Sequence, residues 1–265
     1  MSNNATARSV LKEIVLHSPL GPSLQTWYRR RRYLRDLLNW TPADAAALHF
    51  YAQFIGANDI CFDIGANHGL RTKIFRRLAA KVISVEPQQS CTAILRCAYG
   101  KDPKVSVVSA ACGAAPGSAV MRVAEDDSLS SLSDDWISAM RSGRFSYDLW
   151  TKQEPCVLVT LDDLIHSYGE PAFIKIDVEG YELNVLRGLT RRVRCVSFEF
   201  HPERFDRAME CADCLCALGL SRFNVSLGET LRMLVESWIG RNDLPVLLKE
   251  SCVDADVYGD IYATI

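Results

Sequence analysis

Apolar positions change their spacing along this chain. Up to about residue 55 they recur every three or four residues. Val10, Leu11, Ile14 and Val15 mark a first helix, which Pro19-Leu20-Gly21-Pro22 breaks. A second helix is predicted over Leu24–Asn39. A third covers Ala45–Phe54, opened by Thr41 as cap with Pro42 in its first turn. From Asp59 onward, short apolar runs alternate with amphipathic stretches, the pattern of βαβ units around a parallel sheet. Strands are predicted at Ile60–Ile64, Val82–Val85, Val105–Ser109, Ala172–Ile176, Cys195–Phe200 and Ser221–Val225. A last strand at Val257–Thr264 is expected as an edge or hairpin partner. Helices over His68–Ala80, Gln89–Ala98, Leu161–Tyr168, Glu182–Leu189 and Glu203–Leu218 separate them.

Residues 112–156 break the alternation. They are rich in Gly, Ser and Asp, notably from Glu125 to Asp135, and read as an inserted loop or lid. Val120–Val123 and Val157–Thr160 flank the insert and can pair as extra strands. The expected organisation is a helical extension over 1–55 followed by one α/β domain over 56–265. A length of 265 residues suits that division.

Composition narrows the class little. Hydrophobic residues make up 48% and charged residues 23%, and the formal net charge is -2, so no global field draws the chain to nucleic acid or an anionic membrane. Neither a secretory signal nor a membrane-length apolar run is evident, and the ten cysteines sit mostly in apolar runs. A cytoplasmic protein with free thiols is the expectation. Cys211, Cys214 and Cys216 lie in a predicted helix with no evident fourth ligand, so no metal is assigned to them. The run Arg29-Arg30-Arg31-Arg32 also falls on a helix. Successive positions there point around the whole circumference, which favours a solvated helix over a single nucleic-acid face.

Candidate chemistry gathers at predicted strand ends. Asp63-Ile64-Gly65-Ala66-Asn67-His68-Gly69 follows the first strand, and its D-x-G-x-x-x-G spacing differs from the G-x-G-x-x-G of dinucleotide folds. Glycines there allow a nucleoside cofactor to approach the backbone, and the following helix offers unpaired N–H groups to an anion. Glu86, before Pro87 at the end of the second strand, stands about twenty residues on, where a carboxylate grips ribose hydroxyls. Asp177 and Glu179 close the strand Phe173-Ile174-Lys175-Ile176, and Glu199 and His201 close the next. These four are the candidate reaction-centre residues. His201 is the first candidate general base, because its ordinary pKa is nearest neutral, and Asp177 is the second. The same oxygens could bridge a hard divalent cation, although the sequence does not indicate one.

Four segments, Asp63–Gly69, Val85-Glu86-Pro87, Ile174–Glu182 with Leu186-Arg187-Gly188, and Glu199-Phe200-His201, resemble the FkbM-type methyltransferases. Thr160-Leu161-Asp162-Asp163-Leu164 matches that family's lead-in to the helix before the fourth core strand. The likeness covers roughly Asp59 to Pro202. It implies a class I methyltransferase fold, Rossmann-like and doubly wound, with a mostly parallel seven-stranded sheet, which the helical extension read at the N-terminus precedes. It also implies S-adenosylmethionine as cofactor, held by Asp63, Gly65, Asn67, Gly69, Glu86, Pro87 and Asp177, with Ala110 and Ala111 contributing backbone contacts to the adenine. The expected reaction is O-methylation of a small metabolite, natural product or saccharide. No nucleic-acid partner is expected, and the N-terminal helices could join copies into a homo-oligomer. Two alternatives stay open: an RNA methyltransferase guided by Arg29–Arg32, and a non-catalytic module that binds S-adenosylmethionine.

Overall fold

The computed structural model describes residues 21–79, 81–143, 145, 150–252 and 257–265, so the helix expected around Val10–Val15 lies outside them. The chain divides into two compact units, Met1–Trp40 and Thr41–Ile265. In the first, helix α1 (Gly21–Leu38) carries Arg29–Arg32, all exposed. The Arg31 guanidinium lies 4.7 Å from the centre of the Trp27 ring one turn earlier.

The second unit opens with α2 (Pro42–Tyr51). Thr41 and Asp44 close a capping box, with Thr41 Oγ1 accepting from Asp44 N–H and Asp44 accepting from Thr41 N–H. The helix lays aromatic rings on the domain. Tyr51 meets Phe75 edge-on at 4.9 Å, and Phe54, just past the helix, stacks on Phe173 and Tyr262, each at 5.2 Å. This helix, grouped above with the extension, therefore packs with the sheet.

Next come β1 (Ile60–Ile64), α3 (Leu70–Leu78), β2 (Lys81–Val85), α4 (Gln89–Tyr99) and β3 (Val105–Val108). The insert holds β4 (Ala111–Cys112), β5 (Gly117–Val123), α5 (Asp134–Arg141) and β6 (Lys152–Val159). The chain continues through α6 (Leu161–Tyr168), β7 (Phe173–Ile176), α7 (Glu182–Arg187), β8 (Cys195–Phe200), α8 (Phe205–Ala217), β9 (Arg222–Leu227), β10 (Ile239–Gly240), α9 (Leu244–Ser251) and β11 (Gly259–Thr264).

The main sheet has the order β10-β9-β11-β8-β7-β1-β2-β3. The run from β3 to β8 is parallel throughout. β1, β2, β7 and β8 are buried on both faces, as an apolar run under helices on either side requires. β11 is antiparallel to both its neighbours and lies between β8 and β9, so it is an internal strand rather than an edge or hairpin partner. Its ladders run the full length of Gly259–Thr264 on both sides, satisfying its backbone groups. The short β10 adds an eighth strand at the edge, beyond the seven expected.

The insert is folded rather than a long loop. β6 pairs with β4 on one side and with β5 on the other. Ser133 caps α5 by accepting from Trp136 N–H at 3.1 Å, and Trp136, Ile137 and Met140 then share a small core with Leu129 and Trp150. Within the acidic stretch read as a lid, Leu129, Ser130 and Ser131 are buried. Among the described residues, no helix is long and apolar enough to cross a membrane.

Candidate functional site

Parallel strands deliver their C-terminal residues to one sheet edge, and that edge holds the candidate site. The turn after β1 is tied to β2, since Gly65 N–H and Ala66 N–H both donate to the Val85 carbonyl. Gly65, Asn67 and Gly69 all have positive φ, at 79°, 47° and 93°. A Cβ on Gly65 would lie 1.7 Å from the Asp177 carbonyl oxygen, and one on Gly69 would lie 2.6 Å from Leu95 Cδ2. The protein's own packing thus requires Gly65, and its positive φ favours glycine at 69.

Glu86 is buried just beyond β2 and clasps that turn. One oxygen accepts from Asn67 N–H and the other from Gln88 N–H, both at 2.8 Å. Burial pushes its carboxyl up to about 7 although these bonds oppose the rise. Asp63 Oδ2 accepts from Thr72 Oγ1 at 2.6 Å, and Thr72 Oγ1 lies 2.8 Å from Ser84 Oγ, binding α3 to β1 and β2. Burial raises the Asp63 pKa as well. Gly69, at the N-cap of α3, offers no side-chain cap, so N–H groups of the first helical turn have no capping side chain there.

The second group surrounds β7, β8 and β11. Lys175, 2% exposed in a strand otherwise apolar, donates to Asp177 Oδ2 at 2.9 Å and to Asp260 Oδ1 at 3.1 Å. Burial disfavours its charge, but the two carboxylates outweigh that and raise its pKa well above normal. Burial likewise acts to raise Asp177, yet Lys175 holds it below the usual range. Asp177 is therefore a committed carboxylate.

Glu179, Glu199 and His201 meet beside them. His201 Nε2 lies 3.3 Å from Glu199 Oε2 and 3.5 Å from Glu179 Oε2, with neither contact aligned as a hydrogen bond. Burial pushes Glu179 up, and Glu199 further still with Asp177 and Glu179 adding repulsion. Burial alone would lower His201, but the two carboxylates push it up to about 11. His201 thus stands against the two carboxylates it was expected to join at the reaction centre.

Glu179 sits in a left-handed conformation at φ 53° and is pinned from both sides. Ser131 Oγ donates to its carbonyl at 2.6 Å, and the next residue, Gly180, packs so tightly that a Cβ would lie 2.4 Å from Trp136 Cβ. Glu182 Oε1 accepts from Val178 N–H and Gly180 N–H, closing the turn. A cleft beside the cluster is lined by Trp136, Gly180, Glu182, His201, Arg204 and Arg207 among others.

The remaining candidates take lesser places. Asn67 Oδ1 accepts from His68 N–H, and Pro87 is half-buried at the mouth of β2. Ala110 is buried, and Ala111 belongs to β4 with its side chain in the core of the insert sheet. Cys211 is buried in α8, where burial raises its thiol. Sequence reading missed Arg71, Asp260 and Trp136. Arg71 Nη2 reaches Glu229 Oε2 at 2.5 Å, and its charge is felt at Asp63 and Asp177. A cation in the first turn of a helix opposes the macrodipole, which was the available signal. For Asp260 the signal was Lys175 itself, a buried cation in need of a carboxylate.

A strand order of β3-β2-β1-β7-β8-β11-β9, with acidic residues at the ends of β1, β2, β7 and β8, defines a class I methyltransferase fold. The model of the methyltransferase FkbM domain matches residues 63–234, and the chain belongs to that family. Among solved structures, methyltransferase FkbM from Methylobacillus flagellatus KT is similar at 12% identity and a TM-score of 0.46, over 89% of this chain and 59% of that one. Precorrin 8w decarboxylase from Methanobacterium thermoautotrophicum is similar at 12% identity and a TM-score of 0.42, over 86% and 92%. SMU.1697c from Streptococcus mutans, in complex with SAH, is similar at 10% identity and a TM-score of 0.39, over 86% and 100%. No curated protein sequence gives a significant match.

Proposed function

We propose that the protein transfers a methyl group from S-adenosylmethionine to a hydroxyl of a small metabolite or saccharide. Family membership supports the methyltransferase half of this reading. The carrying observation for the cofactor is the Glu86–Asn67 bond, which sets a buried carboxylate against the glycine turn of the neighbouring strand. A carboxylate has about four lone-pair sites. Two are used by N–H groups, so Glu86 can still accept from a ribose diol. The α3 N-terminus and Arg71 offer N–H groups and positive charge to the cofactor's carboxylate, with the exposed Glu229 in the role of a displaceable partner. Asp63 and Asp177 add negative charge suited to its ammonium. When bound, the cofactor supplies an electrophilic methyl on a sulfonium that leaves without needing an acid.

The chain's own contribution is placement and proton removal. A small cleft beside Glu199 and His201, lined by Arg204 and Arg207 among others, marks the side from which the acceptor approaches in this reading. Glu179, Glu199 and His201, which meet at this strand end, are the groups proposed to take the hydroxyl proton. The test is a panel of hydroxylated metabolites and saccharides assayed for methylated product and S-adenosylhomocysteine release. A hydroxyl-methylated product is expected, with Glu199→Gln slowing kcat by about 10²-fold or more. Transfer to amines or RNA alone, or cofactor binding with no turnover across the panel, would reject the reading.

A further inference from the structure

We propose that Glu179, Glu199 and His201 form a binding site for a divalent first-row transition-metal ion, each residue giving one ligand atom. The ligand atoms all lie within 4.8 Å of one another. The two carboxylate oxygens stand 3.3 and 3.5 Å from Nε2. Atoms bound to a common ion at about 2.0–2.2 Å fall at roughly such separations, so little movement is needed to close on one.

A second observation points to a ligand. Glu179 Oε2, Glu199 Oε2 and both His201 nitrogens are buried and lack a hydrogen-bond partner among the described residues. The His201 side chain is only 10% exposed. Native proteins seldom leave four such atoms together without hydrogen bonds, and ion-pair contacts of 3.3 and 3.5 Å return only part of the lost hydration. Lys175 gives its hydrogen bonds to Asp177 and Asp260 rather than to these atoms. An ion bonded to Nε2 and both oxygens satisfies three of the four atoms at once.

The surroundings hold the ligands in position. The His201 ring lies between Trp136 and Tyr258, with ring centres 5.8 and 6.2 Å away. Ser131 fixes the backbone of Glu179 from the insert. One imidazole with two carboxylates suits manganese, iron, cobalt or zinc better than magnesium or calcium, which prefer oxygen alone. The cleft that Glu199 and His201 help to line adjoins the three ligands. A second cluster, His68, Cys91 and Asp127, depends on a thiol that burial holds protonated, and it serves as the control.

The inference rests on the methyl-transfer reading only for the use made of the ion; binding is measured without turnover. The full-length protein, stripped with chelator, is titrated with Mn2+ and free ion is followed by electron paramagnetic resonance. One ion per chain is expected, with Glu199→Gln and His201→Asn each weakening binding by about tenfold or more. No binding below about millimolar Mn2+, or binding unchanged in both variants, overturns the proposal. If circular dichroism shows the variants unfolded, Co2+ added to the wild-type protein decides. Ligand-field bands without thiolate charge transfer support the site, whereas thiolate charge transfer or no spectrum overturns it. S-adenosylhomocysteine affinity on the same samples keeps the two readings apart: retained affinity with no ion defeats the ion alone, and bound ion with no affinity defeats the cofactor reading alone.

Discussion

Glu86 links two strand ends through two backbone N–H groups and titrates near neutrality, which gives the cofactor reading a pH signature. Its folded-state pKa of about 7 lies above the ordinary 4.5. Its contribution to folding stability is therefore complete below about pH 4.5 and disappears as the pH climbs through about 7. Ribose binding has the opposite sign, because hydroxyls donate to the ionised form. S-adenosylhomocysteine affinity, measured calorimetrically, should fall about tenfold from pH 8 to pH 6. Glu86→Gln should weaken binding about tenfold or more at pH 8 and remove the slope. A flat profile in the wild-type protein would separate Glu86 from the cofactor. The residue scale also shows where sequence reading reached its limit. Strand-end acids could be recognised from spacing, but the distances at which His201 meets carboxylates from two separate segments could not.

Among the elements, the insert is where reading and structure part most. Polar composition made 112–156 look like a loop, yet Leu129, Trp136, Ile137 and Met140 form a core of their own once Ser133 starts a helix. So small a cluster, diluted by serine and aspartate, has too weak a period to stand out in sequence. The strands of the parallel run were legible nearly to the residue, since burial on both faces leaves continuous apolar runs. β11 was found as a strand, but its place between β8 and β9 is a long-range pairing that no local pattern encodes. The insert grips the site through Gly180 and Trp136, so Gly180→Ala should cost about 2 kcal/mol or more from φ strain and the displaced indole. Urea unfolding followed by tryptophan fluorescence would measure it. The folded variant should lose acceptor turnover more than S-adenosylhomocysteine affinity, and equal losses would contradict this division of labour.

For the molecule as a whole, the division at Trp40 and Thr41 assigns the candidate cofactor and metal residues to one unit. A chain beginning at Thr41 should fold and bind S-adenosylhomocysteine within about twofold of the full-length protein, as expected of a unit with its own core. Calorimetry on the two proteins compares them directly, and a tenfold loss would make the arginine-bearing helix part of the cofactor site. The strand order carries a further consequence for biosynthesis. β8 and β9 emerge from the ribosome as neighbours in sequence, yet neither can take the other as its final partner. Their facing edges can pair as in the folded protein only once Gly259–Thr264 has been made. The same segment carries Asp260, the second carboxylate on Lys175. Nascent chains halted before Gly259 should therefore be the forms that chaperones hold and proteases cut.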